Sequence, residues 1–178
     1  TYHTPVKYEV PDTTGNLTAN YYNGPANDGV GATLTNSGTK AAFAPDGPTA
    51  SVSDRVLVYN QTNAFENGVY EVTTVGTPDP GGTNWVLQRT TDADSYGLKD
   101  PNALGNGDAF FVSDGDTGAG ETYVCNTPGV ITFGTALAGT EWSQVWISLS
   151  GTQVKIANPK VGTALSGLWL GQQNDGKN

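Results

Sequence analysis

Hydrophobic positions along this chain recur with a period of two rather than every third or fourth residue, so the pattern predicts strands and not helices. Residues 54–60 form a β-branched and aromatic run around Val56, Leu57 and Val58, and 68–75 form a second run around Val69, Tyr70, Val72 and Val75. Further strands are predicted at 84–90, 108–113, 121–125, 130–133 and 142–147. Glycine, proline, asparagine and aspartate punctuate each gap, at 78–82, 105–107, 114–116 and 127–129. Between the first two runs lies 61–67, closed by Asn67 and Gly68, a pair that favours a reversal of hairpin type. The longest stretch without Gly or Pro is 49–67, and its Val-Leu-Val centre favours a strand rather than a helix. Short strands at this spacing imply an all-β fold, an antiparallel sandwich or a barrel-like domain.

The ends read differently. Residues 1–14 hold two prolines and alternate at Val6, Tyr8 and Val10, which suits an extended N-terminal arm or an edge strand. Residues 15–149 make the β domain. The stretch 150–178 carries Val154 and Ile156, then Leu165, Leu168, Trp169 and Leu170, then a polar tail. An apolar cluster among glycines so near a terminus reads either as a C-terminal arm packing on a neighbouring subunit or as a segment closing its own domain; the four residues 165, 168, 169 and 170 are the candidate interface.

Composition narrows the function. With 24 Gly and 10 Pro in 178 residues and only 36% hydrophobic residues, long packed helices are disfavoured. Disorder does not follow, because 4 Trp, 8 Tyr and 5 Phe supply a core and only 14% of residues are charged. Eight Lys and Arg against seventeen Asp and Glu give a net charge of −9, with no basic cluster, so no nucleic-acid partner is expected. No apolar run is long enough to span a bilayer and no signal peptide is visible, so no membrane insertion is expected. The lone Cys125 makes neither an internal disulfide nor a cysteine-based zinc site, and its strand pattern suits a small buried hydrophobe.

Few residue sets invite chemistry. His3 is the only histidine, so any Ser-His-Asp or Cys-His catalysis would need it, and no motif surrounds a partner nucleophile. Asp92, Ala93 and Asp94 would place two carboxylates on one face of an extended strand; a solvated turn, a calcium site and a glycosidase pair are the alternatives. Residues 114–121 alternate oxygens and glycines as a calcium loop does, but Cys125 stands where an EF-hand needs glutamate, which favours a hairpin turn between two strands. The glycine pairs at 29–31 and 105–107 lack the strand-turn-helix setting of a nucleotide loop. Tyr21, Tyr22, Phe65 and Trp85 are candidates for a sugar-stacking platform, or else for core or interface. No catalytic residue, cofactor or metal ligand is assigned, and no enzyme activity is expected.

The ordered set Leu17-Thr18-Ala19, residues 29–36, Asp54 to Val58, Gln61-Thr62, Glu66 to Val72, Trp85 to Arg89, Asp92-Ala93-Asp94, Gly107 with Phe110 to Val112, and then Tyr123, Ile131, Phe133 and Trp142 resembles a module of tail-fibre and other virion-structural proteins of tailed bacteriophages. The similarity runs from about residue 17 to 146. The resemblance implies a β-rich module of a fibre, spike or capsid decoration at the virion surface. It implies a homo-oligomer, trimer or larger, assembling with itself and other virion proteins. A carbohydrate- or receptor-binding module for a host surface glycan is the alternative.

Overall fold

A computed structural model describes residues 1–133 together with the backbone of two further strands, Trp142–Ile147 and Val154–Ala157. The fold is all-β. The strands are β1 (Tyr8–Glu9), β2 (Ala19–Tyr22), β3 (Thr33–Asn36), β4 (Arg55–Val58), β5 (Gly68–Thr74), β6 (Val86–Arg89), β7 (Ala109–Phe111), β8 (Thr122–Cys125), β9 (Trp142–Ile147) and β10 (Val154–Ala157). They form a six-stranded sheet in the order β1-β4-β5-β6-β3-β2 and a four-stranded sheet in the order β10-β9-β8-β7. Every ladder is antiparallel except that of β1 with β4, so the first sheet is mixed, and neither sheet closes into a barrel.

The parallel ladder arises because the N-terminal segment serves both sheets. Tyr2 and Val6 make parallel bridges to Ala109 and Val112 beside β7, and two residues later Tyr8 and Glu9 pair with Val56 and Leu57 of β4. The hydrogen bonds change partner at Val6 and Lys7: Val6 N donates to Phe111 O at 2.9 Å, and Lys7 N donates to Arg55 O at 2.8 Å. Residues 1–10 are therefore extended, as their alternation predicts, and paired along most of their length.

Two cores flank the six-stranded sheet. Val56 and Val58 of β4, Tyr70 and Val72 of β5, Leu87 of β6 and Leu34 of β3 share one face with Tyr8, Val10, Phe43 and Trp85. Leu57 and Val69 point the other way and pack with Phe110, Val112, Tyr123 and Cys125 of the second sheet, and with Val6 and Leu104. Val56, Leu57 and Val58 are all 0% exposed, which explains why β4 reads as an unbroken apolar run: it has a core on both sides.

Strand expectations hold at 54–60, 68–75, 84–90, 108–113 and 121–125, each somewhat shortened, and at 142–147 in full. Residues 130–133 are not a strand; Ile131 is buried in the second core, but its backbone joins no ladder. The reversal at 61–67 contains a 3-10 turn, Ala64–Glu66, and Asn67 holds the loop closed by accepting from Gln61 N at 2.9 Å. Gly68 has φ 153°, and a Cβ there would lie 2.6 Å from Arg89 Nη1, so this position requires glycine for space as well as conformation. The candidate interface residues Leu165, Leu168, Trp169 and Leu170 lie outside the described residues.

Because Leu57 joins the two layers from the most enclosed strand, Leu57→Ala should cost about 2–5 kcal/mol. Val52→Ala, at a site 59% exposed, should change stability by less than about 0.5 kcal/mol. Urea unfolding of both variants checks the contrast.

Candidate functional site

The chemistry expected around Asp92 and Asp94 is reorganised by a turn. Ala93 N donates to Thr90 O at 3.2 Å and Ala93 is wholly buried, so of the alternatives the segment is a turn, and the two carboxylates go to different places. Asp92 accepts from Arg55 Nη1 at 3.1 Å and Nη2 at 2.9 Å, a bidentate pairing, and also faces His3 Nδ1 at 3.3 Å. The other ring nitrogen, His3 Nε2, lies 2.9 Å from Asp108 Oδ2, and the ring stacks on Phe110 at 4.5 Å. Asp108 further accepts from Gly105 N, and the Thr1 nitrogen lies 2.8 Å from its other oxygen.

A histidine with a carboxylate against each nitrogen must donate twice, which only the imidazolium does. Burial works against that charge, yet the hydrogen bonds and charges of Asp92 and Asp108 outweigh it, and the His3 value is raised. Burial likewise pushes the Asp92 carboxyl up, but His3, Arg55 and Thr90 hold it well below the usual carboxylate range. His3 is enclosed and both its nitrogens are engaged, so a substrate has no access to it. The network ties residue 3 to residues 92 and 108, and thus the N-terminal strand to both layers.

A second cluster lies between the layers and was not foreseen, because its members are far apart in sequence. Glu9 is 2% exposed and accepts from Tyr59 at 2.9 Å and Tyr123 at 2.7 Å; the Tyr123 hydroxyl also lies 2.9 Å from Glu121 Oε2 and 3.1 Å from the Tyr59 hydroxyl. Two phenols bring two protons to four oxygen-oxygen contacts. Glu9 therefore has more close oxygen contacts than donors to fill them, which favours uptake of a proton there. Burial pushes Glu9 up to about 7, against the pull of Tyr123 and Tyr59, with Glu121 adding to the rise.

The loop at 114–121 is the hairpin connection between β7 and β8, as expected. It folds around Asp46, which accepts from Thr117 Oγ1 at 2.9 Å, Gly118 N at 2.8 Å and Thr117 N at 3.1 Å. Gly115 allows the close approach, since a Cβ there would collide with the Asp46 carboxylate. Turn residues at 45–48 were the only sequence signal for Asp46. No group of three or more His, Cys, Asp or Glu suited to a metal ion occurs among the described residues.

Of the aromatic platform, Trp85 is 7% exposed and packs on Phe43 at 5.0 Å, so it belongs to the core. Tyr21 and Phe65 are half-buried in edge contact at 5.5 Å, and Tyr22 alone stands out at 55%. Cys125 is buried in the second core, as expected. A cleft of about 230 Å³ is lined by Val30, Gly31, Arg55, Glu71, Gln88, Arg89, Thr90, Thr91 and Asp94. Register builds it: Arg55, Glu71 and Gln88 are successive cross-strand partners on one face of the first sheet. Arg89 pairs with Tyr70, so its side chain takes the opposite face, where it donates to Asn67 O, Phe65 O and the Tyr70 and Tyr21 hydroxyls.

Comparison with protein-family models, curated proteins and solved structures finds no match for this chain.

Glu9 binds its proton more tightly in the folded than in the unfolded chain, so the stability it contributes is complete below about 4.5 and is lost as pH rises through about 7. His3, raised from 6.5, adds a loss on the same side, while the lowered Asp92 and Asp108 lose their contribution as pH falls below about 3.8. Urea midpoints should therefore fall from about pH 5 to about pH 8, and Glu9→Gln should shrink that fall. An unchanged fall in the variant would assign the effect elsewhere. His3→Ala, which removes one partner from each of two enclosed carboxylates, should cost about 3–5 kcal/mol in the same assay.

Proposed function

We propose that this chain is a structural component of a bacteriophage virion, a fibre, spike or capsid-decoration module that assembles through contacts between its own subunits. Its place is the virion surface, with other virion proteins as further partners. The supporting observation is an outward-facing apolar row on the second sheet. Tyr2 bridges Ala109, so both take the face of β7 that also carries Phe111, opposite to buried Phe110. Tyr2 is 70% exposed and Phe111 37%, and the row continues across β8 at Val124, the register partner of Ala109. Large apolar side chains aligned on one face are more than the scattered exposure usual for a monomer, and a second copy offers the same face in return. The ordered sequence set named above is what points from a self-assembling β module to a phage particle.

Light scattering of the full chain after size exclusion should give a trimer or larger. The double variant Tyr2→Ser, Phe111→Ser should shift the distribution toward monomer with unfolding unchanged, because both side chains already face water in the single chain. A full-length chain that stays monomeric at micromolar concentration would defeat the reading.

A further inference from the structure

The cleft on the first sheet contains an imbalance between donors and acceptors. Asp94 is 8% exposed, yet among the described residues it has no hydrogen bond or ion pair to another residue; its carboxylate is served by its own backbone amide. It is absent from the fully enclosed unpaired atoms, so its oxygens open on the cavity it lines. Glu71, on the same wall, is likewise without an ion pair. Its cross-strand partner Arg55 is the natural counter-charge, but Asp92 takes that guanidinium in a bidentate grip and two of its other donors go to the Thr4 and Pro5 carbonyls. The Arg89 guanidinium is held on the opposite face of the sheet. A carboxylate so buried without an ion pair is costly: burial raises its value, and the charge of Arg89 offsets that only in part.

We propose that this cleft binds the basic head group of a lysine or arginine side chain presented by a partner polypeptide. The free groups at the site are two carboxylates, against a single amide, that of Gln88, and the Thr91 hydroxyl, so a donor-rich cation fits and a neutral sugar, which needs donors in return, does not. The space of about 230 Å³ exceeds a bare ion and holds a guanidinium or ammonium with part of its methylene stem, for which Val30 and Gly31 form an apolar wall. A divalent ion needs more oxygens than the site converges, and no metal-holding cluster is found among the described residues. The site lies on a different sheet from the apolar row, and the proposal stands whether or not the chain self-assembles.

Proton-nitrogen NMR of the full chain, titrated separately with methylguanidinium, n-butylammonium, calcium chloride and methyl glucoside, tests it. Either organic cation should give saturable shifts at the amides of Gly31 and residues 90–94, with a dissociation constant on the order of millimolar for so small a probe. Asp94→Asn should weaken that binding by about tenfold or more and, by removing an unpaired buried charge, raise the urea midpoint. Glu71→Gln, at a less enclosed position, should weaken binding without loss of fold. Absence of saturable shifts with both cations, a response to calcium or the glucoside alone, or undiminished binding in both variants would overturn the assignment.

Discussion

The structure depends on a single strand with two sets of partners. Residues 2–6 lie against β7 of one sheet and residues 7–10 against β4 of the other, so backbone hydrogen bonds run from sheet to sheet without a break. Side chains reinforce the seam at both ends of this stretch: His3 reaches Asp92 and Asp108, and Glu9 reaches Tyr59 and Tyr123. Val6 between them is fully buried in the second core. The chain has little apolar material for its length, and it compensates by placing polar networks where a larger core would otherwise lie. Such networks repay their desolvation only when their members are paired, which is why the values of both His3 and Glu9 are raised.

This economy has a visible cost in freedom of placement. Arg55 serves Asp92 and two backbone carbonyls of the N-terminal strand, so the seam takes the one guanidinium on that face of the sheet. Asp94, two residues beyond Asp92, is left facing a cavity without an ion pair, its charge offset only in part by Arg89. The same tripeptide thus holds a carboxylate fixed by structure and a carboxylate available to a ligand, separated by an alanine buried to zero exposure.

Much of the fold was legible because alternation survives wherever a strand has one wet face. β5, β6, β7 and β8 all read correctly, and the hairpin loop at 114–121 followed from its glycines. β2 and β3 gave weaker signals, since Ala19 to Tyr22 and Thr33 to Asn36 are short and largely polar. Residues 130–133 misled for the opposite reason: Ile131 is apolar because it plugs a core, without any ladder to hold the backbone. The sites were less legible than the strands. Asp92 and Asp94 stood out as a pair, yet whether they act together depends on the turn at Ala93. Glu9, Asp46 and Glu71 carry no local motif, because each gains its role from residues scarcely near it in sequence.

The shared strand also bears on the order in which the molecule assembles itself. During synthesis residues 1–10 wait for partners that follow 48 residues later at Val56 and 107 later at Asp108. Until β7 has emerged, the leading strand has only half of its ladder, and the layer between Leu57 and Phe110 has no opposite wall. Contacts so distant along the chain tie up closure entropy before they return any burial, which places this domain among slow folders. Joining of the two layers is therefore a late event in synthesis, and an unfinished chain would carry an open seam lined with Val6, Leu57 and Val69, the residues most prone to meet the wrong neighbour.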